Sequence, residues 1–181
     1  MFKKELEHLC EIGVLEPCGP SDWALPTFII PKKDGRVRWV SNFRALNKVL
    51  KRKIYPIPRI HELLCKRKGY KTKLDISMQY YTFDLDEESK DYCVIATPFG
   101  LYRYLKMPMG ISPASDISQH AMELTLKGVK EADAYFDDVK CWRESWSQHL
   151  VTLERTLSRL EEAGFSINPL KCEWGVQEQT G

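Results

Sequence analysis

Two aspartates, Asp137 and Asp138, stand side by side in the stretch DAYFDDVKCW, residues 133–142, and the residues on both sides read as β-strand. Strands are poor in Asp, and adjacent carboxylates repel each other. Both constraints are met if the chain folds back here, so that the pair sits at the tip of a hairpin, and if positive charge is brought to it. The stretch therefore predicts a β-hairpin and, beside it, a cation.

A further acid, Asp75, ends the strand pattern YKTKLDIS. A carboxylate at a strand end projects from a rigid platform. If that strand neighbours the hairpin, three carboxylates converge, and without compensation one of them must take up a proton. Mg²⁺ suits such a site, because it favours a few carboxylates together with water and substrate phosphates. Two ions about 3.5–4 Å apart clamp the attacking and leaving oxygens of phosphoryl or nucleotidyl transfer. Taken singly, Asp-Asp is also an ordinary polar turn; the combination with strand context and the charge pattern below points to chemistry.

The net charge is only +2, yet residues 32–73 carry 15 Lys and Arg against two acids, Asp34 and Glu62. The rest of the chain holds 12 basic and 23 acidic residues. A basic excess that persists through strand, turn and helix signals predicts a folded surface facing a polyanion such as nucleic acid. The chain has 181 residues, 43% hydrophobic and 29% charged, enough to bury a core in one domain's worth of chain. No apolar run approaches the roughly 18 residues needed to span a membrane. MFKKELEHLCEIGVL mixes acids among its apolar residues and reads as an amphipathic helix, not a signal peptide. The six cysteines show no C-x-x-C pairing, which argues against zinc and for reduced thiols. HELLC, residues 61–65, lacks the second histidine of a zincin.

The remaining pattern alternates hairpins with helices. TFIIPKKDGRVRWVSNF reads as strand, turn at Asp34-Gly35, strand. RALNKVL is a short helix, and a longer one follows YPIPRI, with Pro58 near its start. CVIATPFGLYRYLKM is a strand pair around Pro98-Phe99-Gly100, and a helix opens at Ser112-Pro113. ESWSQHLVTLERTLSRLEEAG is a long helix whose expected buried stripe is Leu150, Leu153, Leu157 and Leu160, stopped by Gly164. A last pair of short strands is expected at FSIN and CEWGV. Adjacent hairpins mixed with helical crossovers predict an α+β fold.

These residues bring a family into view. The stretches GVLEP, SDWALPTFIIPKKDGRVRW, NFRALNKV, YPIPRI, LDISMQYYTFDLDEESKDYCVIATPFGLYRYLKMPMGISPA, YFDD and SRLEEAGFSINPLKCEWG follow one another over nearly the whole chain. In order and spacing they resemble the reverse transcriptase of gypsy-type LTR retrotransposons and, more distantly, the retroviral enzymes. A lone YFDD is weak; the ordered set is specific. The resemblance implies the fingers and palm of a right-hand polymerase, with an antiparallel palm sheet backed by helices. It implies an N-terminal helix and connection over 1–24, basic fingers over 25–70, and mainly palm over 71–181 with a fingers insertion near 86–106. It also implies RNA-directed DNA polymerase activity: a primer 3′-hydroxyl attacks the α-phosphate of a dNTP on an RNA or DNA template, and pyrophosphate leaves.

Residue by residue, the resemblance puts Asp75, Asp137, Asp138 and Ile76 at the family's metal-binding positions, for two Mg²⁺ ions or Mn²⁺ in their place. Lys32 and Arg38 match cations that hold the incoming triphosphate. Met78 and Gln79 match positions whose backbone N–H groups meet it. Tyr80 matches the aromatic that blocks a 2′-hydroxyl, and Gly110 lies in a turn near the templating pair. Lys171 resembles the lysine that protonates the leaving pyrophosphate, its alternative being an ordinary surface lysine. Phe136, Lys140, Asn42 and Ser118 depart from the family pattern, and none removes a metal ligand. Thumb, connection and RNase H are absent from these 181 residues, so the resemblance implies a larger polyprotein or a truncated product. Expected partners are a template–primer, dNTPs and the rest of that polyprotein including integrase, with dimerisation left open. The expected setting is intracellular, in cytoplasmic virus-like particles, with no membrane. Two rivals stand beside this reading: a catalytically silent remnant that only binds nucleic acid, and a Mg²⁺ phosphohydrolase, which would want a second Asp in LDIS.

Overall fold

The computed structural model describes residues 1–32, 35, 37–52, 55–56 and 69–178. Asp34, the helix expected after Pro58, the HELLC stretch and much of the basic segment lie outside these residues. The described chain is α+β, as expected, and divides into two compact units. The first comprises Met1–Arg52 and Tyr80–Ala114; the second is the described part of 53–79 and 115–181.

The first unit is built on a five-stranded sheet in the order β1-β6-β5-β2-β3. Its strands are β1 (Leu15–Pro17), β2 (Leu25–Pro31), β3 (Val37–Ser41), β5 (Val94–Thr97) and β6 (Gly100–Tyr104). β1 falls within the segment expected to hold only an N-terminal helix and connection, 1–24; it pairs with β6, which supplies the backbone partners that its sequence does not advertise. Helix α1 (Phe2–Glu11) buries Leu6 and Leu9 against Val14, Leu15, Trp39, Phe43, Leu46 and Ile95. Each such side chain contributes roughly 1.5–3 kcal/mol on burial. Buried Tyr104 is satisfied within this core: its hydroxyl accepts from Trp39 Nε1 at 3.1 Å and shares a proton with Ser41 Oγ at 2.9 Å. Short helices α2 (Arg44–Asn47) and α3 (Glu87–Tyr92) complete the unit, α3 capped by Asp86, which accepts from Ser89 N.

The second unit holds an antiparallel sheet in the order β10-β4-β8-β7, where β4 is Gly69–Ser77, β7 Ala132–Tyr135, β8 Asp138–Arg143 and β10 Glu173–Glu178. β9 (Ser166–Ile167) pairs with the last two residues of β4. The two short strands expected at the end of the sequence are therefore both present, and each pairs with β4. Helix α4 (Ala114–Thr125) begins just after Pro113, but Ser112 does not cap it. Ser112 Oγ has no partner among the described residues, and its N–H donates to Asn47 Oδ1 at 2.7 Å.

Helix α5 (Trp146–Glu162) is capped by Ser145, which accepts from Gln148 N, and is followed by Gly164 at φ 77°. Its buried residues are His149, Thr152, Thr156 and Leu160; of the leucine row the sequence suggested, Leu160 is buried, and Leu153 and Leu157 are half-buried beside the polar stripe. Leu150 is exposed. The reason is chemical. His149 Nε2 bonds Thr72 Oγ1 on β4 at 2.8 Å, and Thr156 Oγ1 donates back to Thr152 O at 2.8 Å. Small, internally satisfied threonines let helix and sheet approach, and the polar bond sets the helix rotation.

Candidate active site

Along β4 the buried residues Thr72, Leu74 and Ile76 alternate with the more open Lys71, Lys73, Asp75 and Ser77. β8 runs beside it with Leu74 opposite Val139 and Asp75 opposite Asp138. Leu74 and Val139 are fully buried, so the register is anchored by apolar packing one residue away from the carboxylates. A slip of β8 by one residue would turn Asp138 toward the core. The ladder continues past Asp138: Ile76 N donates to Asp137 O at 2.8 Å. Asp75, Ile76, Asp137 and Asp138 are thus joined through the backbone ladder.

Tyr135 pairs with Asp138, leaving Phe136 and Asp137 as a two-residue loop. Phe136 has φ 50°. Such loops favour positive φ at their first position and glycine to supply it; a phenylalanine there costs about 1–3 kcal/mol. Gln119, fully buried on α4, compensates. Its Oε1 accepts from Phe136 N at 2.9 Å, and its Nε2 donates to Ala134 O at 3.0 Å and to Glu123 Oε1 at 2.9 Å. Ser118 beside it is buried with Oγ unpartnered among the described residues.

Each outward carboxylate of the ladder has met a lysine. Lys73 Nζ lies 3.0 Å from Asp138 Oδ2, and Lys171 Nζ lies 3.7 Å from Asp75 Oδ1. The bond to Asp138 raises the Lys73 ammonium above its ordinary acidity range. Asp137, at the exposed tip, is raised above the usual carboxylate range by partial desolvation and then by the Asp138 and Asp75 charges, with Lys171 opposing. The three carboxylates therefore feel one another. They are not gathered into a closed ligand set: among the described residues, no three His, Cys, Asp or Glu side chains stand ready to hold a metal ion. The donor chemistry, hard carboxylate oxygens with mutual repulsion left to neutralise, fits a divalent cation.

Lys171 is aimed by its neighbours. Asn168 N donates to Asp75 O at 2.9 Å, Asp75 N donates to Cys172 Sγ at 3.4 Å, and Asn168 Oδ1 accepts from Leu170 N at 3.3 Å within the turn Pro169–Lys171. The NPLKC stretch is thereby folded onto the strand end that carries Asp75.

The sequence pattern of the family described as reverse transcriptase (RNA-dependent DNA polymerase) matches residues 30–180. The chain belongs to the reverse transcriptase family. It is 31% identical over 180 residues to the uncharacterized protein K02A2.6 of Caenorhabditis elegans, covering 97% of this chain and 14% of that protein. It is 35% identical over 155 residues to the transposon Tf2-3 polyprotein of Schizosaccharomyces pombe, covering 83% of this chain and 12% of the polyprotein. It thus spans about a seventh or less of these curated relatives. Among solved structures, the foamy viral protease-reverse transcriptase dRH in complex with double-stranded DNA superposes with TM-score 0.91 at 24% identity, over 99% of this chain and 32% of that one. The foamy viral protease-reverse transcriptase in complex with RNA/DNA hybrid gives TM-score 0.87 at 23% identity, over 96% and 24%. These likenesses establish the fold, the fingers and palm of a right-hand polymerase. Dependence on a divalent metal is general to the family.

In this chain the residues expected to serve the triphosphate divide between the units. Met78 and Gln79 follow Asp75 in the second unit. Met78 is exposed with φ 51°, and Gln79 is buried with both side-chain amide atoms unpartnered among the described residues. Lys32, Arg38, Tyr80 and Gly110 belong to the first. Lys32 and Arg38 are exposed at the β2–β3 hairpin, and Tyr80 is half-buried in the turn Gln79–Thr82. Gly110 has φ 103°; its carbonyl accepts from Asn47 Nδ2 at 2.9 Å, and an added Cβ would stand 3.6 Å from Phe43. Sequence reasoning missed Lys73, Gln119, Asn47, Asn168 and Cys172 as positioning residues. Asn168 carried a usable signal, an Asx residue before Pro; Lys73 and Gln119 carried none, because both act across strands or between helix and turn.

Proposed function

We propose that this chain is the fingers-and-palm core of an RNA-directed DNA polymerase from the polyprotein of a gypsy-type LTR retrotransposon. The first unit would serve as fingers and the second as palm. The observation that carries the reading is the register of Asp75 against Asp138 with Asp137 at the adjoining turn, a rigid carboxylate platform at the end of a buried ladder. Asp75, Asp137 and Asp138 would hold two Mg²⁺, or Mn²⁺ in their place. When bound, such ions favour the ionised primer hydroxyl and offset charge on the phosphates.

The rest falls to the chain's own residues. The 3′-oxygen of the primer attacks the α-phosphorus of a dNTP, and the bond to the bridging oxygen of pyrophosphate breaks. Lys32 supplies a point charge and Arg38 a fork of donors to the triphosphate oxygens. The Met78 and Gln79 backbone N–H groups receive the same anion. Tyr80 excludes a 2′-hydroxyl, and Gly110 leaves room for the templating pair. Lys171 delivers a proton to the departing pyrophosphate. Template–primer, dNTPs and further polyprotein segments are the partners, in an intracellular particle.

The test is primer extension on an oligo(dT)-primed poly(rA) template with dTTP and Mg²⁺, with and without added downstream polyprotein segments. Wild type should extend, and the double variant Asp137→Asn, Asp138→Asn should not. Salt-sensitive binding of the duplex without extension under either condition would overturn the polymerase reading in favour of a silent nucleic-acid-binding remnant.

A further inference from the structure

The lysine that reaches into the carboxylate platform stands in YKTKLDIS itself, on the strand that carries Asp75. Lys73 lies two residues before Asp75 on the same face of β4, directly across from Lys140. Asp138 is its diagonal neighbour on β8. Diagonal pairs are within reach of long side chains only, and Lys73 spans the gap to place Nζ 3.0 Å from Asp138 Oδ2. Asp75 sits directly opposite Asp138, too short to do anything but repel it. Lys171 approaches the same platform from the other side but ends on Asp75, at 3.7 Å, with its side chain 59% exposed against 35% for Lys73. The two lysines are therefore not equivalent. Lys171 is the more open, and Lys73 is the closer ion pair, rooted on the same strand as the site.

We propose that Lys73 is a built-in counter-cation that occupies Asp138 in the metal-free protein and competes with the divalent ion for it. This rests on the reading of Asp75, Asp137 and Asp138 as metal ligands and adds what neutralises them before the ion arrives. An ion engaging Asp138 must displace the Lys73 ammonium or share the carboxylate with it. Lys73 would thus lower affinity for the free ion while keeping the platform foldable without one. Its role is positioning: it sets the carboxylate's availability and touches neither primer nor nucleotide.

The experiment is titration of the full chain with Mn²⁺ alone, free ion read by electron paramagnetic resonance, alongside thermal unfolding with and without Mn²⁺. Lys73→Met, and Lys73→Gln as a second neutral variant, should bind Mn²⁺ roughly threefold to tenfold more tightly than wild type. Their metal-free midpoints should fall, and the stabilisation added by Mn²⁺ should grow. Lys73→Arg should restore wild-type affinity. Lys140→Met removes the same charge from the opposite strand and should shift affinity less than about twofold. Asp138→Asn combined with Lys73→Met should erase the gain. Equal tightening by Lys140→Met would overturn the proposal, since bulk charge would then account for it. So would unchanged or weaker binding by both neutral variants while Asp75→Asn abolishes binding; the metal site would stand and the competition would not. If wild type and Asp75→Asn bind Mn²⁺ alike, the metal-site reading itself fails, and this inference with it.

Discussion

Replacing Gln119 with methionine keeps the side chain's length and removes all of its polar atoms. The site is fully buried, so water cannot substitute. Phe136 N–H loses the partner at 2.9 Å, in a backbone conformation that already costs energy at φ 50°. A buried donor left unpaired costs about 1–3 kcal/mol. Ala134 O and Glu123 Oε1 lose their donors as well, at 3.0 and 2.9 Å. Ala134 is buried and Glu123 half-open, so the former adds to the loss and the latter adds less. Relief of turn strain and the added apolar surface offset part of this. The expected net loss is about 2–4 kcal/mol. Urea unfolding followed by tryptophan fluorescence should show the midpoint moving with an unchanged slope. Ile117→Ala, an exposed change on the same helix, should stay within about 0.5 kcal/mol. A loss below about 1 kcal/mol for Gln119→Met would refute the claim that this amide holds the aspartate turn.

Asp137→Asn should stabilise the metal-free protein near neutral pH. Its carboxyl is raised above its unfolded value, so the wild type gains stability as pH falls and loses it as pH rises through the raised value; the variant's advantage should vanish in acid, as thermal midpoints across pH will show. The opposite sign applies to His149, which burial lowers. Stability is intact above the ordinary histidine value near 6.5 and lost as pH falls below it, and His149→Gln should flatten this acid limb although it weakens the protein at about pH 7.5. Gly175→Ala should destabilise by about 1–3 kcal/mol in urea unfolding, because its Cβ would stand 2.8 Å from Trp146 Cζ3 at φ 58°; Trp146→Leu in the same chain should recover part of that loss.

Much of the site was legible because its chemistry is local. Asp137 and Asp138 declare a turn by being adjacent carboxylates between strands, and Asp75 declares a strand end. The β2–β3 hairpin and the helix stopped at Gly164 follow from turn residues and periodicity in the same way. What escaped the sequence depends on partners far along the chain. β1 exists because β6 offers it an edge. α5 buries His149, Thr152 and Thr156 along with Leu160, and leaves Leu150 exposed, because Thr72, 77 residues away, bonds the histidine. Gln119 and Lys73 look like ordinary polar residues until α4 is laid beside the turn and β8 beside β4.

By itself, then, the sequence determined the α+β class and the place of three aspartates, Asp75 near a strand end and Asp137 and Asp138 at a hairpin turn, because residue types and short-range spacing specify turns, strand ends and charge. Only the tertiary structure decided the rest. The buried pair Leu74 and Val139 selects a register that sets Asp75 opposite Asp138 and puts Lys73 within reach of it. A cross-strand neighbour is fixed by which apolar residues are buried together, and that information is spread over the whole chain.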